Sequence, residues 1–201
     1  LIEEYLQNAP EEQRIQMEHA ISRGDIAWHG LPFTTHTELM DKTLFEYGIS
    51  ISQKLDQQFG KKTIAAKMTD VPGHTIGIVP LLANYGIRYL HIGVNPSSKA
   101  PSVPGVFIWK ANDGSELVVN YAADYGEALE VDGLEDVLYF AHTGDNNGPS
   151  SLEEIELLYQ QLQTEYPGAE IAASTLDAFA EKLLECKDVL PIVSEEIGDT
   201  W

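Results

Sequence analysis

Residues 65–95, "AAKMTDVPGHTIGIVPLLANYGIRYLHIGVN", decide how this chain is read. A short apolar run ends in Asp70, a tight Pro72-Gly73-His74 bend follows, and an amphipathic stretch over 75–85 leads to a second apolar run at 87–94. Strand, helix and strand in that order form the unit of a parallel sheet. A buried strand has no packing use for an aspartate at its tip, whereas parallel α/β folds collect their chemistry at the C-terminal ends of strands. Asp70 and His74 are therefore candidate site residues. The plain alternative is an aspartate that caps the next helix or closes an Asx turn.

The flanks extend the same alternation. Residues 2–23 read as helical, with Pro10 in a first turn and Gly24 as the stop. "DIAWHG" (25–30) reads as a short strand, and a helix follows from about Glu38 to Gln58, weakened by Gly48. "VFIWKANDGSELVVNY" (106–121) is an antiparallel excursion, because Asn112, Asp113 and Gly114 tolerate the positive φ of a tight hairpin. "EDVLYFAHTGDNNGP" (135–149) returns to strand and loop. Ser151 and Glu154 make a capping box ahead of a helix with Leu152, Ile155, Leu158, Tyr159 and Leu162 as its stripe. "AEIAAST" is a further strand candidate, Ser174 or Thr175 caps a helix over 176–186, and "DVLPIVSEEIG" starts one more strand. The expected class is α/β, a parallel β/α layout with one antiparallel hairpin; helices alone do not separate an open sheet from a barrel.

Composition narrows the partners. Twelve Lys and Arg against 32 Asp and Glu give a net charge of −20, which opposes binding to nucleic acid or to an anionic membrane surface. At 43% hydrophobic residues the chain can bury a core. The single Cys186 excludes an internal disulfide or a multi-cysteine zinc site, and its spacing from Phe179 and Leu183 points it into the core. No run reaches the roughly 20 apolar residues of a spanning helix. Such a chain suits cytoplasm and bacterial periplasm alike, so its address and its oligomeric state stay open. Leu1 and Trp201 read as cuts through structure, so one domain over 1–201 is expected to be a fragment, and a fragment with open edges should be poorly stable or self-associate.

Three polar clusters fall at expected strand ends. "TDVPGH" carries Asp70 and His74, and "AHTGDNNGPSS" carries His142 and Asp145 in a loop of turn formers, where a carboxylate can act as a general acid. "WHGLPFTTHTELMD" carries Trp28, His29 and His36 among threonines, a set that suits stacking and hydrogen bonding to a polar ligand, or equally a capped helix start with Phe33 as its staple. No phosphate loop and no Gly-x-Ser-x-Gly elbow occurs.

In their order, these clusters resemble the catalytic domain of the family 38 glycoside hydrolases, the α-mannosidases, and most of all a bacterial branch of family-38-like domains of unassigned function. "RGDIAWHGLPFTTHTELMD", "FGKKTIAAKMTDVPGHTIGIVPLLANYGIRYL" and "AHTGDNNGPSSLEEIELLYQQL" carry the likeness over nearly the whole chain. It implies a seven-stranded β/α barrel, incomplete here, and a retaining, zinc-dependent glycosidase acting on carbohydrate. On this resemblance Asp70 matches the nucleophile that is also a zinc ligand. Asp145 matches the acid/base carboxylate, with Asn146 as the other occupant of that place. His74 matches the histidine of the block, a support residue in the substrate site, with His36, Trp28 and Asn95 completing that site. The remaining zinc ligands are expected outside residues 1–201. Two departures stand out: the family's Asp-Pro-Phe-Gly-His is Asp-Val-Pro-Gly-His here, so Val71 displaces the pattern, and "GVNPSS" with Asn95 stands where the family often carries an arginine. A non-catalytic carbohydrate-binding relative and a metal-dependent polysaccharide deacetylase-like hydrolase are the competing readings.

Overall fold

A computed structural model describes residues 1–126, 128–143 and 147–201. Asp145 and its neighbour Asn146 lie outside the described residues.

Pro10 divides the first helical stretch into α1 (Ile2–Asn8) and α2 (Glu11–Arg23), because Ala9 before it is driven into extended backbone. Helix α3 (Lys42–Phe59) starts where the Asp41 side chain accepts the Leu44 N–H at 2.9 Å. The buried Ile21 of α2 packs with Leu6 and Leu55, tying α1 and α2 to α3.

The sheet begins with β1 (Ala65–Asp70), followed by α4 (Ile78–Asn84) and β2 (Tyr89–Val94). Next come β3 (Val106–Lys110) and β4 (Glu116–Ala122), joined through Asn112-Asp113-Gly114 in the expected antiparallel hairpin. Strands β5 (Ala128–Leu129) and β6 (Leu138–Tyr139) pair separately. Helix α5 (Leu152–Glu165) carries the Ser151/Glu154 capping box, and α6 (Leu176–Glu185) is capped by Thr175. β7 (Ile192–Val193) completes the main sheet, whose order is β1-β2-β4-β3-β7. The first three of these are mutually parallel; β3 runs against β4, and β7 runs with β3.

The sheet is mixed and mostly parallel, and among the described residues it does not close into the expected barrel. Two segments read as strands explain why. "DIAWHG" reaches β1 through one ladder-like bond, Gly30 N–H to the Ala65 carbonyl at 2.8 Å, and forms no strand. "AEIAAST" forms none either; Ile171 is its one large apolar side chain, too little to bury a strand. Instead, Asp177 at the start of α6 accepts the N–H groups of Ile64 and Ala65 at 2.9 and 2.7 Å. A carboxylate thus takes up donors at the head of β1. Cys186 is half-buried beside the Gly133 carbonyl rather than in the core.

Side-chain alternation along the strands builds two layers. One face sends Met68, Leu90, Ile92, Val119 and Trp109 against α3 and α4. The other sends Ala65, Tyr89 and Val118 against Phe179 and Leu183 of α6. Strand β2 is buried at all six positions, so its Gly93 and His91 stand inside the protein and must have local reasons.

Candidate active site

Asp70 ends β1, and among the described residues it is the one non-glycine with positive φ, 82°. For an L-residue that backbone costs on the order of 1–2 kcal/mol, less for Asp than for most. Strain of this kind persists where the surroundings hold it, and it clusters at functional sites. Here the Tyr125 hydroxyl donates to Asp70 Oδ1 at 2.9 Å, and the Asn95 N–H reaches the Asp70 carbonyl at 3.4 Å. Tyr125 follows β4, so its segment must cross the end of β2 to arrive. Gly93 permits the crossing: a Cβ there would lie 2.9 Å from the Tyr125 carbonyl oxygen and 3.0 Å from that of Asp124.

Beneath this crossing the strand registers align Lys67, His91 and Asn120 on neighbouring strands of one face. His91 Nδ1 pairs with Asn120 Oδ1 at 2.5 Å, and Asn120 Nδ2 donates to the Gly105 carbonyl at 3.2 Å. Because Asn120 spends its amide on Gly105, the proton of that pair sits on His91 Nδ1. Phe140 stacks on His91 with ring centroids 4.3 Å apart, and Lys67 Nζ lies 5.1 Å from the same Phe140 ring. His29 joins the row at β1, where its Nδ1 meets the Lys67 N–H at 3.4 Å. Burial pushes the Lys67 ammonium down to about 8, and pushes His29 to about 4 and His91 to about 3, with the Lys67 charge adding to both histidine shifts. A cavity of about 540 Å³ with Asn120, Asp124, Gly126 and Phe140 in its wall opens beside this row.

The bend after Asp70 is held from the other side. His74 is fully buried; its N–H donates to the Ile197 carbonyl at 2.6 Å and its Nδ1 pairs with Thr37 Oγ1 at 3.1 Å. Burial pushes its imidazole down to about 4. Expected as a support residue of the substrate site, His74 is buried against Thr37 and Ile197, where it holds the bend. Gly73 is required by packing: a Cβ there would sit 2.2 Å from the Gly198 backbone. His36 pairs with Asp199 Oδ2 at 2.7 Å and lies 5.9 Å, ring to ring, from the exposed Trp201. His36 and Trp201 flank the bend and stay accessible while the Asp199 side chain is largely covered, so His36 is brought to the Asp70 end of the sheet. Asn95 is there too, although its side chain turns back to accept the Ser97 N–H at 2.9 Å.

Trp28 is elsewhere. Its Nε1 donates to Asp56 Oδ1 at 2.9 Å, and Asp56 also holds the Thr63 N–H and hydroxyl at 2.8 Å. Thr63 precedes β1, so Trp28 sits at the opposite end of the strand from Asp70, packed 6.0 Å from Phe59. It was expected in the substrate site; an indole N–H seeking a buried acceptor anchors it to α3 instead. His142 packs against Tyr125 with ring centroids 6.3 Å apart and reaches the Gly126 carbonyl at 3.1 Å. The second carboxylate of the expected pair, Asp145, lies outside the described residues.

A zinc ion takes three or four nitrogen, sulfur or oxygen donors. Among the described residues no group of three His, Cys, Asp or Glu side chains could hold a metal. Asp70 is therefore one donor without companions, and the described residues do not by themselves fit a zinc site. Sequence reasoning missed Lys67, Tyr125 and Gly93. Of these only Gly93 carries a readable signal, a glycine inside an apolar strand, which marks close backbone approach.

With the fold and the Asp70 end of the sheet described, comparison with known proteins bears on the fold. No family model matches this chain, and no curated protein matches it. One matching solved structure is an alpha-mannosidase from Enterococcus faecalis, with a TM-score of 0.66 and 13% sequence identity. The match covers 98% of this chain and 24% of that one. At that identity the likeness is one of fold: this chain has the fold of a segment of a bacterial alpha-mannosidase.

Proposed function

We propose that this chain belongs to a carbohydrate-active protein of α-mannosidase type, a retaining glycosidase in which Asp70 is the nucleophile. The observation that carries the reading is Asp70 itself: a carboxylate at the C-terminal end of β1, in left-handed backbone, aimed by the Tyr125 hydroxyl at 2.9 Å. The fold shared with an alpha-mannosidase supports it.

A retaining mechanism needs two carboxyl groups about 5–5.5 Å apart. With Tyr125 donating to Oδ1, Oδ2 of Asp70 is the oxygen that attacks the anomeric carbon. The glycosidic bond breaks as the ester forms, and the leaving oxygen takes a proton from Asp145, the proposed acid/base. Water then attacks the same carbon, giving its proton back to Asp145 and releasing Asp70. The Tyr125 hydrogen bond orients the carboxylate throughout, and His36 and Trp201 beside the bend offer a polar and an aromatic surface to the sugar. The zinc implied by the resemblance would need ligands beyond the described residues, and no step above runs through it.

The test uses the longest natural chain that contains these residues, assayed on aryl α-mannoside and other aryl glycosides with NMR detection of the anomeric product. Turnover with retention is expected, abolished in Asp70→Asn. Asp145→Ala should slow turnover least for the substrate with the most activated leaving group, which needs little protonation. A wild-type protein that binds sugars and hydrolyses none would replace this reading with a carbohydrate-binding module.

A further inference from the structure

Among the described residues Lys67 is a charge without a counter-charge. In a chain with net charge −20, four of the twelve Lys and Arg, namely Arg14, Arg23, Lys42 and Lys187, find a carboxylate within 3.8 Å among the described residues, and of the others Lys67 is the one whose proton affinity burial lowers. Lys67 finds none among the described residues: its Nζ has a ring face 5.1 Å away and, at 3.5 Å, the Tyr125 carbonyl oxygen. Its neighbours in the row, His29 and His91, are held neutral by burial and supply no negative charge. An unpaired, half-buried cation is unfavourable, and desolvation is what weakens its hold on the proton. An anion delivered to Nζ would offset that cost.

Tyr125 places this cation relative to the proposed reaction. Its carbonyl oxygen faces Lys67 Nζ while its hydroxyl binds Asp70 Oδ1, so one tyrosine separates the lone ammonium from the strained carboxylate. We propose that Lys67 binds an anionic substituent on the sugar, a carboxylate or a sulfate or phosphate ester at C6, while the anomeric carbon of the same ring meets Asp70. This deepens the function proposed above and rests on it for the placement of the anomeric carbon. Phe140, under the Lys67 ammonium, and Asn120, in the same row, stand in the wall of a cavity beside them. The chain's surface carboxylates do not cancel the attraction, because physiological salt screens them beyond ~8 Å while a desolvated pair is screened far less.

The experiment is calorimetric titration of the longest natural chain containing these residues with methyl mannoside, methyl mannuronate, methyl glucuronate, methyl mannoside 6-sulfate, mannose 6-phosphate and inorganic sulfate. Tighter binding of the anionic sugars than of methyl mannoside is expected, and Lys67→Met should lower their affinity by roughly tenfold or more while leaving the neutral sugar unchanged. Lys67→Arg should retain the preference. Equal affinity for neutral and anionic sugars in the wild type overturns the proposal, and needs no variant to fold. So does an anionic preference that survives Lys67→Met, or inorganic sulfate binding as tightly as the sugars. The carboxylate and the ester probes separately identify which anion is taken. Anionic binding that depends on Lys67 without turnover would sustain this inference while the hydrolase reading failed; turnover of neutral glycosides indifferent to Lys67 would do the reverse.

Discussion

The Tyr125 hydroxyl donates to Asp70 Oδ1 at 2.9 Å, joining the end of β4 to the end of β1 across the strand between them. Two residues 55 positions apart thus share one bond that orients the proposed nucleophile. Tyr125→Phe keeps the ring beside His142 and removes the bond. The expected result is a loss of about 0.5–1.5 kcal/mol of unfolding free energy in urea titration, as for a single hydrogen bond, with a larger fractional loss of glycoside turnover.

Gly93 is predicted to be the least replaceable residue of β2. A Cβ would meet the carbonyl oxygens of Asp124 and Tyr125 and His91 Nε2 at 2.9–3.0 Å. Gly93→Val should cost about 2 kcal/mol or more, since backbone rather than a flexible side chain must move. Gly105→Ala, with nothing within 4 Å of the new methyl, should be near neutral in the same denaturation assay.

Stability should fall on mild acidification. His29 and His74 are pushed from 6.5 to about 4, and His91 to about 3, chiefly by burial. Between those values and 6.5 the unfolded chain binds the protons that the folded chain refuses. The stabilisation is therefore complete above pH 6.5 and is lost as pH falls through 6.5 toward 4. Each histidine adds at most ~1.4 kcal/mol per pH unit in that window. Urea midpoints at pH 7.5, 6 and 5 check this, and His91→Asn, which keeps a neutral donor toward Asn120, should flatten the slope.

Self-association of residues 1–201 is expected to run through α5. Leu152, Ile155 and Tyr159, at helical spacing, are 68%, 42% and 38% exposed, and Leu162 is the buried residue of that helix. Sedimentation velocity should show a concentration-dependent species that Leu152→Lys with Ile155→Lys abolishes. A monomer at every concentration in the unmutated chain would refute it.

What could be read from the residue order was local. The strand–Asp–bend–helix–strand block, the Asn112-Asp113-Gly114 hairpin, the Ser151/Glu154 box and the Thr175 cap depend on neighbours within a few positions. Backbone preference and short-range hydrogen bonds decide them. Pro10, read at a first helical turn, likewise marks where α1 ends and α2 begins, because the residue before a proline is forced out of helical backbone.

Tertiary structure decided whatever depends on which segments meet. "DIAWHG" and "AEIAAST" have strand-like composition, but a strand exists only when a partner offers its ladder, and β1 shares one backbone–backbone bond with the first and takes a carboxylate at its head from α6. His74 and Trp28 were grouped in one site by type; packing buries the first beside Thr37 and anchors the second at the far end of β1. Lys67, His91 and Asn120 are separated by 24 and 29 residues, and only strand register sets them side by side. Tyr125 reaches Asp70 because Gly93 leaves space for a crossing backbone. Local chemistry placed the aspartate at the strand end, and long-range packing chose its company.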